Sequence, residues 1–348
     1  MNQQEWVTVT EPEEAHGPAP TGLVVRTGPG SYLVRSGDAV WNCRLRGRLK
    51  AKRQKLSDMS VVVGDYVELD KLDPKSGTAL ISEILPRRTS LYRLAPPPWP
   101  GTTLIPQVLA VNVDFVVAVA AAVAPPLKLT TIDRYLLLAR QAQIAPAVCI
   151  NKVDQAGIDL EIGSGLHGDG GLDARHVLEV KRALEDRGVK VLLTSAATGQ
   201  GLEELRSLLQ GKTSVFAGPS GVGKTSLLKG ICPDLQAKTL SISSTTGKGR
   251  HSTTFSSLID IGGGYVADLP GLRAIGFWNL SEDTVKSEFE DIDEIAAGCR
   301  FSDCSHTHEP GCAVKAALHS GELDEDRYQE YMRVMKDAMG KSRRRSGP

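Results

Sequence analysis

The 348-residue sequence predicts a multi-domain fold. It has an N-terminal β-barrel, a central α/β phosphate-loop domain in circularly permuted order, and a C-terminal helical zinc-binding domain. Three observations predict it. Short β-rich runs broken by Gly, Asp and Pro fill the first quarter; strands then alternate with helices around Gly218-Pro-Ser-Gly-Val-Gly-Lys-Thr225; and Cys299, Cys304, His306 and Cys312 fall within 14 residues.

Forty-one basic side chains balance 41 acidic ones, so the chain is no polycation, although its charge is segregated. The most apolar stretch, about Val108–Val123, contains Asn112 and Asp114 and runs into Pro125-Pro126. It is too short and too polar to span about 30 Å of hydrocarbon, so no membrane partner is expected. The first residues are acidic, without the apolar core of a secretory signal or the arginines of a transit peptide. With no export signal, the six cysteines point to a reducing cytoplasm and to metal, not to disulfides.

Residues 1–20 are expected as an acidic leader, with Glu5, Glu11, Glu13 and Glu14 and no Lys or Arg up to position 16. Over 21–93, the runs GLVVRT, SYLVRS, AVWNCRLRG, VVVGDYVELD and ALISEIL read as strands of a small barrel or sandwich. Between two of them, Arg44–Lys55 holds seven basic residues in twelve. A nucleic-acid contact through Arg44, Arg46, Arg48, Lys50, Lys52 and Arg53 is one reading and a solvated charged face is the other. Residues 94–106, with APPPWPG, read as a linker that is neither helix nor central strand.

From 107 to 276 strands and helices alternate, which implies a mainly parallel sheet covered on both faces. Strands are expected at Val113–Ala120, Ala147–Ile150, Val189–Thr194 and Ser214–Ala217. Helices are expected at Thr130–Gln143, the first opened by a capping box Thr130-Thr-Ile-Asp133, and at His176–Arg187 and Leu202–Gln210. Gly163–Gly171, with five glycines in nine, reads as a flexible insertion. Residues 277–340 are helix-rich and hold the Cys/His cluster; 341–348 form a basic tail with Arg343, Arg344 and Arg345.

Gly218–Thr225 matches G-x-x-x-x-G-K-[ST] between a strand and a helix. Its glycines let backbone N–H groups turn inward on phosphate oxygens, and the following helix adds its positive dipole end. Gly218, Ser220, Gly221, Val222, Gly223, Lys224, Thr225 and Ser226 are the expected phosphate contacts, Lys224 reaching the β- and γ-phosphates and Thr225 holding Mg²⁺. Asn151-Lys152-Val-Asp154 follows a strand, so it projects at the carboxyl edge of the sheet. A carboxylate at Asp154 accepts two hydrogen bonds from guanine, a donor pair that adenine lacks. Ser195-Ala196 supplies small residues beside the guanine carbonyl. Together these motifs specify GTP.

Their order is unusual. In most GTPases the phosphate loop precedes N-K-x-D, whereas here Asn151 and Ser195 precede Gly218. The sheet is therefore expected to be circularly permuted. After the phosphate loop come Thr245–Thr254 and Asp268-Leu-Pro-Gly271. Asp268 is placed to hold Mg²⁺ and Gly271 to contact the γ-phosphate; Thr253, in preference to Thr254, is expected to close over the metal. The residue after Gly271 is Leu272, not a water-orienting Gln, which leaves His251 as the nearest catalytic candidate. Slow intrinsic hydrolysis, raised by a partner, is the physical expectation. In the C-terminal cluster, C-x4-C-x-H-x5-C offers a Cys₃His set for one structural Zn²⁺, with His308 as an alternative fourth ligand.

These motifs, with G-K-G-R-H-S-T-T and D-L-P-G, closely resemble the ribosome small-subunit-dependent GTPase A family (RsgA, also called YjeQ) over about Thr21–Met339. The resemblance implies an OB-fold barrel, a permuted GTPase domain and a zinc domain, all contacting the small ribosomal subunit. It implies a role in late maturation of that subunit, release of an assembly factor, and GTP hydrolysis stimulated by the subunit. It assigns His251 as the catalytic histidine and favours His306 over His308 as ligand. Leu269 stands for the usual Thr in D-x-P-G, and Ser252 for a Thr after the histidine. Basic patches at Arg44–Arg53 and Arg343–Arg345 suit a clamp on folded RNA. A cytoplasmic monomer is expected. Two other readings are a permuted GTPase acting on the large subunit and a GTP-gated RNA-binding scaffold in which hydrolysis is incidental.

Overall fold

The computed structural model describes residues 19–49, 60–95, 105–159, 165–166, 171–233, 256–269, 285–286 and 288–342. Strands β1 (Thr21–Gly28), β2 (Ser31–Ser36), β3 (Ala39–Leu45), β4 (Tyr66–Asp73) and β5 (Thr78–Ile84) form the N-terminal part. They pair in the order β1-β2-β3-β5-β4, and β4 returns to β1, so the sheet closes into a five-stranded barrel of OB type. Alternation explains the closure: Val24, Tyr32, Val34, Cys43, Val67, Leu69, Ala79 and Ile81 point inward and are buried together.

One expected strand is shorter than its sequence run. VVVGDYVELD becomes strand only from Tyr66. Gly64 sits at φ 90° with its Cα against the Val111 carbonyl, where a β-carbon would collide. Val63 instead bridges to Ala110, outside the barrel. This loop joins the barrel to the next domain. The Arg87 guanidinium donates to both oxygens of buried Asp65 at 2.8 and 2.9 Å, and the buried Asn112 amide donates to the Gly64 carbonyl at 2.8 Å.

The expected linker over 94–106 is narrower. β6 (Ser90–Ala95) and β7 (Ile105–Val111) form an antiparallel hairpin in which Leu94 faces Pro106 and Ala95 faces Ile105. Proline is tolerated there because a two-stranded ribbon has an outer edge with no ladder bond to lose.

The central sheet continues with β8 (Phe115–Ala121), helix α1 (Leu129–Gln141), β9 (Ala145–Asn151), the 3-10 turn Val153–Ala156, and the two-residue strands β10 (Ile158–Asp159) and β11 (Gly165–Leu166). Then come α2 (Leu172–Asp186), β12 (Lys190–Thr194), α3 (Leu202–Leu209), β13 (Thr213–Ala217), α4 (Lys224–Ile231), β14 (Ser257–Asp260) and β15 (Tyr265–Asp268). The order is β12-β9-β8-β13-β15-β14, parallel except for β14, with β8 and β9 preceding the central β13 in sequence. Successive β8 residues face opposite layers. Ala118 and Ala120 pack with Ile132 and Leu136 of α1 and Val177 and Leu184 of α2. Val117 and Val119 pack with Leu205 and Leu209 of α3 and Leu227 and Ile231 of α4. β14 pairs onward with β1 of the barrel, so one 11-stranded sheet crosses both domains.

The capping box at the start of α1 does not form. Lys128 is the N-cap residue, without a side-chain bond, and Asp133 is buried. Asp133 belongs to an ionic cluster with the C-terminal domain, whose helices among the described residues include α5 (Glu290–Ala296), α6 (Ala313–Ser320) and α7 (Glu325–Ser342). Arg187 donates to Asp133 at 2.8 Å, and Arg327 of α7 donates to the other Asp133 oxygen and to Asp291 at 2.7 Å. Glu288 is paired with Arg187 and lies 3.0 Å from Arg140. A buried carboxylate needs partners of this kind more than a helix end needs a cap.

Candidate functional site

The carboxyl ends of β9, β12 and β13 bring the nucleotide motifs to one sheet edge, and Asn151 ties them together. Its amide donates to the Val222 carbonyl of the phosphate loop at 2.9 Å. Its oxygen accepts from the Ala196 N–H at 3.1 Å and the Thr194 hydroxyl at 3.3 Å. Gly223, at φ 97°, packs its Cα on the Asn151 amide, so no side chain fits there. Lys152 adopts φ 64° and extends its ammonium to the Ala124 carbonyl at 2.6 Å.

Half-buried Asp154 accepts a hydrogen bond from Ser195 Oγ at 2.5 Å, which fixes one carboxylate oxygen and ties the N-K-x-D motif to the Ser195-Ala196 turn. In the phosphate loop, Gly218 and Val222 are buried, while Ser220, Gly221, Thr225 and Ser226 are exposed. The Lys224 ammonium folds over the loop onto the Gly218 and Pro219 carbonyls at 2.8 and 2.7 Å, so its cation is held against the loop. Asp268 ends β15, beside β13, with its side chain exposed on the phosphate side of the sheet. A hydroxyl at Thr225 and a carboxylate at Asp268 are the hard oxygen donors that Mg²⁺ takes. His251, Thr253 and Gly271 lie outside the described residues.

At the C-terminal cluster, the ligand atoms of Cys299, Cys304, His306 and Cys312 all lie within 4.8 Å of one another. His306 Nδ1 is 3.6 Å from Cys299 Sγ and 3.5 Å from Cys312 Sγ, and the two sulfurs are 3.9 Å apart. A zinc tetrahedron with Zn–S ~2.3 Å and Zn–N ~2.0 Å has S···N edges of ~3.5 Å and S···S edges of ~3.8 Å, so the donors fit that metal. His308 is exposed and bonded to Thr307 instead.

Two residues that organise this loop escaped the sequence reading. Glu309 accepts from the Ser305 hydroxyl and N–H and from the Thr307 and His308 N–H groups, which hold its carboxyl well below the usual carboxylate range. Tyr328 donates to the His306 carbonyl at 2.8 Å, bracing a residue held at φ 59°. The signal was spacing alone: a carboxylate three residues after the ligand, and a tyrosine on the inward face of α7.

On the barrel, Arg44, Arg46 and Arg48 are exposed, and Arg46 is already paired with Asp70 at 3.1 Å. Lys50, Lys52, Arg53 and Arg343–Arg345 lie outside the described residues, as do all but three residues of the Gly163–Gly171 insertion and most of the leader. Among the described residues no helix is long and apolar enough to cross a membrane.

A strand-to-helix phosphate loop, tied by an asparagine to the strand ends of an N-K-x-D motif that precedes it in the chain, defines a circularly permuted P-loop GTPase. Two family models match: the RsgA N-terminal domain over residues 21–79 and the RsgA GTPase over 84–278. The chain belongs to the RsgA GTPase family, and is a hydrolase acting on GTP. It is 36% identical over 323 residues to a Moorella thermoacetica protein named small ribosomal subunit biogenesis GTPase RsgA, covering 92% of this chain and 98% of that one. A Bacillus velezensis protein of the same name is 35% identical over 320 residues, covering 91% and 97%. The crystal structure of YjeQ from Thermotoga maritima superposes with TM-score 0.62 at 29% identity, covering 92% of this chain and 99% of that chain. That of YloQ, described as a circularly permuted GTPase, gives TM-score 0.61 at 30% identity, covering 95% and 99%.

Proposed function

We propose that this GTPase acts in late maturation of the small ribosomal subunit, binding the subunit's rRNA, hydrolysing GTP to GDP and phosphate when docked there, and helping an assembly factor leave. The observation that carries the reading is the Asn151 link between base and phosphate motifs, in a chain whose relatives are named for small-subunit biogenesis. Asp154 reads guanine, with Lys152, Ser195 and Ala196 around the base. The phosphate loop from Gly218 to Ser226 and the Gly271 N–H hold the phosphates. Thr225, Thr253 and Asp268 hold Mg²⁺, which neutralises charge on the β- and γ-phosphates. His251 orients the attacking water, a part that Leu272 cannot play. Cys299, Cys304, His306 and Cys312 hold one structural zinc. The exposed arginines of the barrel, with Lys50, Lys52, Arg53 and the tail arginines, meet rRNA phosphates. The protein works as a cytoplasmic monomer.

The test is GTP hydrolysis with purified small subunits and with large subunits as control. Stimulation by the small subunit alone is expected, with binding that weakens steeply as salt rises. His251→Ala should abolish the stimulated turnover and keep nucleotide affinity; unchanged turnover refutes that role. GTP binding without stimulation moves the reading to a GTP-gated scaffold.

A further inference from the structure

The barrel grips β14 at both ends, and β14 is the strand that lies against the Mg²⁺ carboxylate. At the nucleotide end, Arg26 of β1 faces Ser257 of β14, and Ser257 in turn faces Asp268 of β15. The Thr27 N–H donates to the Ser256 carbonyl at 3.1 Å. With strands ~4.8 Å apart, Arg26 and Asp268 stand only about 10 Å apart. At the other end Arg35 of β2 reaches across β1 to Asp260 at 3.0 Å, its guanidinium 6.0 Å from the centre of the Tyr265 ring.

Asp260 has a second task. Its other oxygen accepts the Gly262 N–H at 2.8 Å and so shapes the turn between β14 and β15, the hairpin that delivers Asp268. The pair is partly buried, with 37% of the Arg35 side chain and 26% of the Asp260 side chain exposed. The β1–β2 turn, Pro29-Gly30, begins two residues after Thr27, and in OB-type barrels this turn is one of the loops that meet oligonucleotides. An RNA-facing loop and a phosphate-facing strand are therefore parts of one ladder.

We infer that Arg35 and Asp260 are positioning residues that couple RNA contact by the barrel to the nucleotide state, with β1 seated on the edge of β14 as a built-in effector strand. The inference rests on the RNA-binding reading above and names how that reading is regulated. Coupling of this kind is reciprocal: GTP that sets the hairpin favours one seating of β1, and RNA that holds β1 favours GTP by the same factor.

The test uses the full chain with Arg35→Gln, Asp260→Asn and the double variant; the amide oxygen introduced by Asp260→Asn still accepts from Gly262. Affinity for the small subunit is measured with GDP and with a non-hydrolysable GTP analogue, and the ratio of the two is the coupling. Each single change should shrink the ratio about two- to fivefold, with no further loss in the double variant and with GDP-state affinity unchanged. An unaltered ratio, or losses that simply add, overturns the inference. A second readout needs no ribosome: the GTP analogue should slow hydrogen exchange at the Thr27 amide in the wild type, and the effect should fade in Arg35→Gln. If the wild-type protein binds no subunit in either state, the function proposed above fails, and the exchange measurement alone decides this one. Equal Thr27 protection with GDP and GTP analogue in the wild type overturns it.

Discussion

Replacing Arg327 by Ala removes the cation that serves two carboxylates at once. Its side chain is 10% exposed, it pairs with fully buried Asp133 and half-exposed Asp291, it donates to the Glu288 carbonyl at 3.1 Å, and it stacks 4.2 Å from the Phe289 ring centre. An exposed ion pair is worth under ~1 kcal/mol, whereas breaking a buried one costs about 3–5 kcal/mol because the remaining charge keeps its desolvation penalty. Burial decides for the larger figure here, since Asp133 keeps only Arg187. For cooperative unfolding of 348 residues at ~2.1 cal/mol/K per residue, that loss lowers Tm by about 4–7 °C. Calorimetry on the zinc-loaded protein measures it, and Arg327→Met with Asp133→Leu, which removes the charge and the cation together, should recover most of the loss. A drop below about 1 °C, or a double variant no better than Arg327→Ala, refutes the argument.

Burial pushes the Glu288 carboxyl up to about 7, against the pull of Arg187 and Arg140. The folded state thus binds this proton more tightly than the unfolded chain. Its contribution to stability is full below pH ~4.5 and is lost as pH rises through about 7, so Glu288→Gln should flatten the fall in stability over that window in denaturant titrations. On the proposed reading of guanine by Asp154, Asp154→Ala should weaken GTP binding at least ~10²-fold in calorimetric titration, whereas Ser195→Ala should cost only about fivefold. On the proposed zinc site, Cys312→Ser should lower the zinc content found by metal analysis, together with helical signal from 290–342; His308→Ala should change neither.

The nucleotide motifs were legible because their chemistry is local: glycines, a lysine and an asparagine must stand at fixed spacing for backbone and phosphate to meet. The Cys₃His set was legible for the same reason. What escaped was non-local. Asp133 looked like a helix cap because Thr130 stood three residues before it, yet it shares the inward face of α1 with Ile132, Leu136 and Leu137, and a carboxylate on that face demands distant cations. Val61–Val63 looked like the start of a strand, and only the close approach of Gly64 to Val111 redirects it. The proline-rich stretch hid a hairpin because pairing between residues a dozen apart leaves no mark on either side alone.

The outer edge of β1 is shared. Thr21, Gly22 and Leu23 pair with β4 and close the barrel, while Arg26 and Thr27 have parted from β4 and are taken by β14. Cutting the chain between barrel and GTPase would therefore strip hydrogen-bonding partners from both fragments, leaving β14 with a bare strand edge and the barrel with a notch beside its β1–β2 turn. Exposed edges recruit other strands. Each half made alone would carry an edge open to pairing, an edge that the two halves cover for each other.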